Sequence, residues 1–150
     1  MRDEVNKLVL AIQDEISCIN VLVSAVRDQR EAMKASDTEE VNALMDEIRD
    51  IFFDVQTCEN KRDDLAKKLA AKFSCGPKVS ELVSNMTNDE KIILNGAADV
   101  LTQSVFILKG EMLVLSGLID QNEKFTSMLL SEYKRLLGDF SQSGATDFRG

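Results

Sequence analysis

A chain of 150 residues with net charge −8 and no histidine is too acidic to be drawn to phosphate backbones or anionic lipid. It also lacks the side chain on which acid–base triads and most zinc and iron sites depend. Hydrophobic residues at 44%, charged residues at 29%, one proline and 5% aromatics exclude a disordered chain and favour helices over sheets.

From about Asp3 to Lys34, apolar residues return at three-four spacing: Val5, Leu8, Ile12, Ile16, Ile19, Val23, Val26 and Met33, with Lys7, Asp14, Arg27, Asp28 and Glu31 behind them. This is an amphipathic helix. The polar turn Ser36-Asp37-Thr38-Glu39 reads as a capping box, with the Ser oxygen on a free amide and Glu39 reaching back. The second segment, Thr38 to Phe73, keeps a coiled-coil seam of Val41, Leu44, Ile48, Ile51, Val55, Cys58, Arg62, Leu65 and Leu69. Arg62 is the charged exception. It is expected to snorkel to the bundle edge or to pair with an acid, because burial alone costs several kcal/mol. Ser74-Cys75-Gly76-Pro77 ends the helix, with Gly76 expected to supply the left-handed exit.

A short helical turn is expected over Lys78 to Asn85, with Val79, Leu82, Val83 and Met86 on its apolar side. Thr87-Asn88-Asp89-Glu90 repeats the capping-box pattern and opens a third long helix, free of proline to about Leu137. Gly96, Gly110 and Gly117 weaken it by about 1 kcal/mol each, which predicts a soft spot near 110–117. The first two helices, joined by a tight turn, must run antiparallel, and the third covers their shared face. The expected fold is all-α: an elongated antiparallel three-helix bundle or coiled coil with a short connecting helix, one domain over residues 1–140 and a disordered tail over 141–150.

Little chemistry survives. Without histidine there is no Ser-His-Asp or Cys-His arrangement and no Glu-x-x-His di-iron site. The glycines are scattered singly, the pairs Glu39-Glu40 and Asp63-Asp64 lie on polar faces, and no cofactor, metal or catalytic residue is expected. Cys18 and Cys58 fall on apolar stripes as small core residues, Cys75 stands apart, and the lack of CxxC spacing suits a reducing cytoplasm. Acids follow Met1-Arg2 where a signal peptide needs an apolar run, and Asp99, Lys109 and Glu111 interrupt the most apolar stretch, so no membrane span is expected.

What remains is surface. Val114, Leu115, Leu118, Ile119, Asn122, Phe125, Met128, Leu129 and Leu136 extend the apolar face of the third helix beyond what two covering helices need. Such a stripe suits a partner helix, with Asn122 fixing register, or a permanent homodimer seam.

The order of features resembles the FlgN-type flagellar export chaperones over residues 3–140: a Leu/Glu-rich first helix, the turn Ala35-Ser36-Asp37, a second helix through Glu59-Asn60-Lys61-Arg62 and Leu65, a loop, then Leu118-Ile119-Asp120-Gln121-Asn122 with Leu129 and Leu136-Leu137. An Arg late in the second helix and an Asn before spaced leucines recur in that family, and Arg62 and Asn122 match them. The resemblance implies a cytoplasmic chaperone. Its cargo would be the C-terminal helical segments of hook–filament junction proteins, the flagellar hook-associated proteins, kept competent for the export gate. A homo-oligomeric coiled-coil scaffold or adaptor is the alternative.

Overall fold

In the computed structural model, which describes residues 2–122, 125, 127–141 and 147–150, every element is helical. Helix α1 spans Asp3–Lys34 and α2 Thr38–Phe73. The one-turn α3, Val79–Leu82, runs into a 3-10 turn over Val83–Asn85. Helix α4 spans Asn88–Gln121 and α5 Ser127–Ser141.

The boundaries follow local chemistry, with two corrections. Asp37, not Ser36, caps α2 by accepting from the Glu40 amide at 3.1 Å; Ser36 instead takes the left-handed conformation, φ 56°, that turns the chain out of α1. At the far end Ser74, at φ 53°, supplies the left-handed exit expected of Gly76. At Gly76 a Cβ would stand 1.7 Å from the Glu81 carboxylate, the far end of an exposed side chain that would have to swing aside. The second capping box forms as expected, Thr87 accepting from the Glu90 amide while the Glu90 carboxylate accepts from the Thr87 amide.

A ladder of contacts sets the topology. Glu4–Lys72, Glu15–Arg62, Cys18–Cys58 and Gln29–Val41 pair α1 with α2 in antiparallel order. Arg2–Glu90 and Arg27–Glu111 lay α4 parallel to α1 on its other flank. The expected continuation of the third helix to Leu137 is not seen. The helix survives Gly110 and Gly117, ends at Asn122, whose backbone is extended at φ −115°, and the chain folds back as α5. Helix α5 lies along α2 and α4: Glu132 meets Arg49, and the Phe140 ring sits 6.2 Å from Phe52 and below the Lys109 ammonium. Four helices therefore share the core at this end of the bundle.

At the other end the same seam is closed by residues 147–150. Phe148 is buried, stacks on the Arg62 guanidinium at 4.5 Å and accepts from the Val79 amide, while Arg149 pairs with Asp99. Of the tail expected from Ser141, residues 142–146 lie outside the described residues.

The expectation that interrupting charges leave no membrane-length apolar segment needs correction. Helices α1 and α4 each carry an 18-residue window with at most two charges and mean hydropathy of 1.6 and 1.3, enough by length and composition to cross a membrane. Half of the α1 window is buried in the bundle but only a third of the α4 window. The core accounts for the apolarity of α1 and leaves much of that of α4 unused.

Candidate partner-binding surface

The fold-back of α5 redistributes the residues expected to form the binding stripe. Leu115, Ile119, Phe125, Leu129 and Leu136 are buried in the common core, and Leu118 packs half-buried against it. Asn122 caps α4, donating its amide to Ile119 and accepting from Phe125 through its carbonyl. Val114 and Met128 alone of the set are open, at 52% and 70% exposure. The stripe is thus brought together, but mostly facing inward: the apolar side of α5 covers what a straight helix would have left bare.

Buried polar residues hold α5 there. Gln29 on α1 donates to the Val41 carbonyl of α2 at 2.9 Å, and its amide oxygen accepts from the hydroxyl of Tyr133 on α5. Both side chains are fully buried, and burial pushes the Tyr133 phenol far above its ordinary value, so it stays a donor. About four turns nearer the N-terminus of α1, Glu15 and Arg62 form a buried ion pair at 2.6 Å under Phe148. Arg62 is therefore paired, as expected, but does not snorkel. Burial raises the Glu15 carboxyl above its ordinary value against the opposing pull of Arg62.

The open surface lies on the other side of α4, which carries two apolar stripes. Leu94, Ala98, Leu101, Val105, Leu108, Met112, Leu115 and Ile119 form the buried one. Opposite it run Ile92, Ile93, Val100, Phe106, Ile107, Leu113 and Val114, between 43% and 78% exposed. Gly96, Gly110 and Gly117 complete that row, and a Cβ at any of them would meet nothing within 4 Å. From residue 92 to 117 the row is about 38 Å long at helical rise, with Asp99 its one charged residue. Beside it, Gln13, Ile16 and Ser17 of α1 join Ile92, Ile93, Gly96, Ala97 and Val100 around a shallow groove of about 470 Å³.

In the sequence, Ile93, Val100, Ile107 and Val114 recur every seven residues along the third helix, a row that the structure turns outward. The signal was there: two interleaved three-four patterns on one helix cannot both face a bundle that occupies one side of it. Among the described residues no cluster of acids and cysteines is suited to hold a metal ion. The chemistry available to this surface is apolar docking.

No curated protein and no solved structure matches the chain. A family model does, that of the FlgN protein, over residues 1–144, the span that includes the α1–α2 hairpin, both stripes of α4 and the whole of α5. The all-helical chain therefore belongs to the FlgN family, a family of flagellar export chaperones and not of enzymes.

Proposed function

We propose that this chain is a cytoplasmic export chaperone that holds the C-terminal helical segments of hook–filament junction proteins on the outer face of α4 until the export gate accepts them. The observation that carries the reading is the second apolar stripe of α4, seven large side chains that the bundle leaves exposed. An amphipathic helix laid along it would bury its own apolar face, which keeps the cargo from associating early. The ordering of that helix on binding limits affinity and permits release. Of the residues first expected at the site, Val114 belongs to this face, while Leu115 and Ile119 anchor it from behind.

The test is titration of a junction protein's C-terminal segment into the Phe106→Ser, Leu113→Ser double variant. Both side chains are exposed, at 78% and 61%, so the melting temperature should hold while binding weakens by about 2–4 kcal/mol. Parent-like binding by this variant would move the cargo site elsewhere.

A second reading, an α4–α4 homodimer, is favoured by the outward glycines, which allow helices to approach closely. Sedimentation of the free chain separates the two: a monomer leaves the face available to cargo, and an obligate dimer occupies it.

A further inference from the structure

Cys18 on α1 and Cys58 on α2 meet across the hairpin with their Sγ atoms 3.4 Å apart, both half-buried. Cys75 lies apart from this pair, its thiol donating to the Gly76 carbonyl. Sulfurs in a disulfide stand about 2 Å apart, so the two thiols need to approach by roughly 1.4 Å. Side-chain rotation with slight helix flexing supplies this. The encounter is built into the register: the Glu15–Arg62 pair fixes the layer on one side, and buried Ile19 and Val55 fill the layer on the other. Nothing in the ladder has to slip for the thiols to react.

We propose that Cys18 and Cys58 form a reversible disulfide site that staples α1 to α2 when the chain meets a peroxide. The site is independent of the α4 docking face. Burial, and then the neighbouring Cys18 thiol with Asp14 and Glu15, push the Cys58 thiol up to about 12. Cys58 keeps its proton, and Cys18 makes the first attack. Its sulfur bonds one peroxide oxygen, the O–O bond breaks, and the departing hydroxide takes a proton to become water, leaving a sulfenic acid. The Cys58 sulfur then displaces the hydroxyl from Cys18, and its proton leaves with that hydroxide as a second water. Two thiols are oxidised, one peroxide is reduced, and a dithiol reductant reverses the bond. Because Cys58 must give up its proton, closure should quicken as pH rises.

The experiment treats the full chain with hydrogen peroxide, blocks remaining thiols by alkylation and maps tryptic peptides. The expected product is monomeric, about 2 Da lighter from two lost hydrogens, with peptide 8–27 joined to peptide 50–61. It should melt roughly 5–15 °C higher than the reduced chain, and dithiothreitol should cancel the gain. Cys75→Ser should leave the link intact, and Cys18→Ser should abolish it. A linkage through Cys75, covalent dimers alone, or three thiols that all remain open to alkylation would overturn the proposal, and parent-chain mapping decides it even if a variant folds poorly.

Discussion

At the scale of single residues, the α1–α2 interface depends on two polar pairs set into an apolar seam. Counting strictly by three and four along α1 gives Leu8, Ile12, Glu15, Ile19, Leu22, Val26, Gln29 and Met33, all buried. Glu15 and Gln29 thus hold core positions that apolar residues hold in every other turn. The sequence made Arg62 conspicuous because its neighbours on the seam are apolar. It hid Glu15, because Ile16 next to it completes an equally good apolar count, and which of two adjacent residues faces inward is decided by the opposing helix. Removing one partner strands the other charge: Arg62→Ala should cost about 3–5 kcal/mol in urea unfolding. Replacing both at once, Glu15→Leu with Arg62→Met, should come out near neutral or better, since two desolvated ions give way to packed apolar groups. The carboxylate Oε2 of Glu15 and Nη2 of Arg62 lack hydrogen-bond partners among the described residues, which limits what the native pair contributes. A double variant as unstable as Arg62→Ala would show that the pair itself, and not the stranded charge, matters.

At the scale of elements, the positions of α4 and α5 depend on a few polar anchors. The start of α4 is tied to the N-terminus of α1 through Glu90, which accepts from the Arg2 backbone amide, the Arg2 guanidinium and the Thr87 amide. These bonds, the Arg2 side chain first, bring its carboxyl down to about 2 from an ordinary 4.5. A depressed acid stabilises the fold above its unfolded value and loses that contribution as protons return, so the loss should run from about pH 4.5 down to about 2. Glu15, shifted upward, works in the opposite sense and is most favourable when protonated. Stability of Glu90→Gln followed against pH should therefore be lower than the parent near neutrality and flatter across that acid window; parallel curves would remove Glu90 from the account.

Helix α5 has its anchor in Tyr133. Tyr133→Phe leaves the Gln29 amide oxygen buried without its donor, an expected cost of about 1–3 kcal/mol, and hydrogen exchange should rise in α5 before it rises in α1 or α2. Uniform exchange across the bundle would mean that α5 unfolds only with the whole. The sequence displayed the apolar face of α5 but not the break before it. Asn122 reads equally as a register-fixing polar residue inside a long helix or as its cap, and only the presence of an uncovered seam between α2 and α4 favours the second.

At the scale of the whole molecule, the division of α4 into a buried and an exposed stripe lets stability and the proposed cargo binding be tested separately. Helix content, the α1–α2 hairpin and the family were legible from periodicity and feature order, because each depends on neighbours in sequence. The exposed apolar face of α4 was not, because inward and outward faces are defined only once the chain has folded back on itself. The glycines make the division testable. Gly96, Gly110 and Gly117 lie within α4 with open space where a Cβ would stand, so the isolated fold gains nothing from them. Each Gly→Ala change should stabilise the free protein by about 0.5–1 kcal/mol through helix propensity and a less disordered unfolded chain. A docked helix, however, would meet the added methyl groups at its closest approach. The triple Gly→Ala variant should thus melt higher than the parent while binding a junction protein's C-terminal segment more weakly, by about tenfold or 1.4 kcal/mol. Opposite signs in two measurements on one protein are hard to obtain unless the altered face belongs to the partner and not to the core. A variant that gains stability and binds as tightly as before would place the contact away from the glycine row.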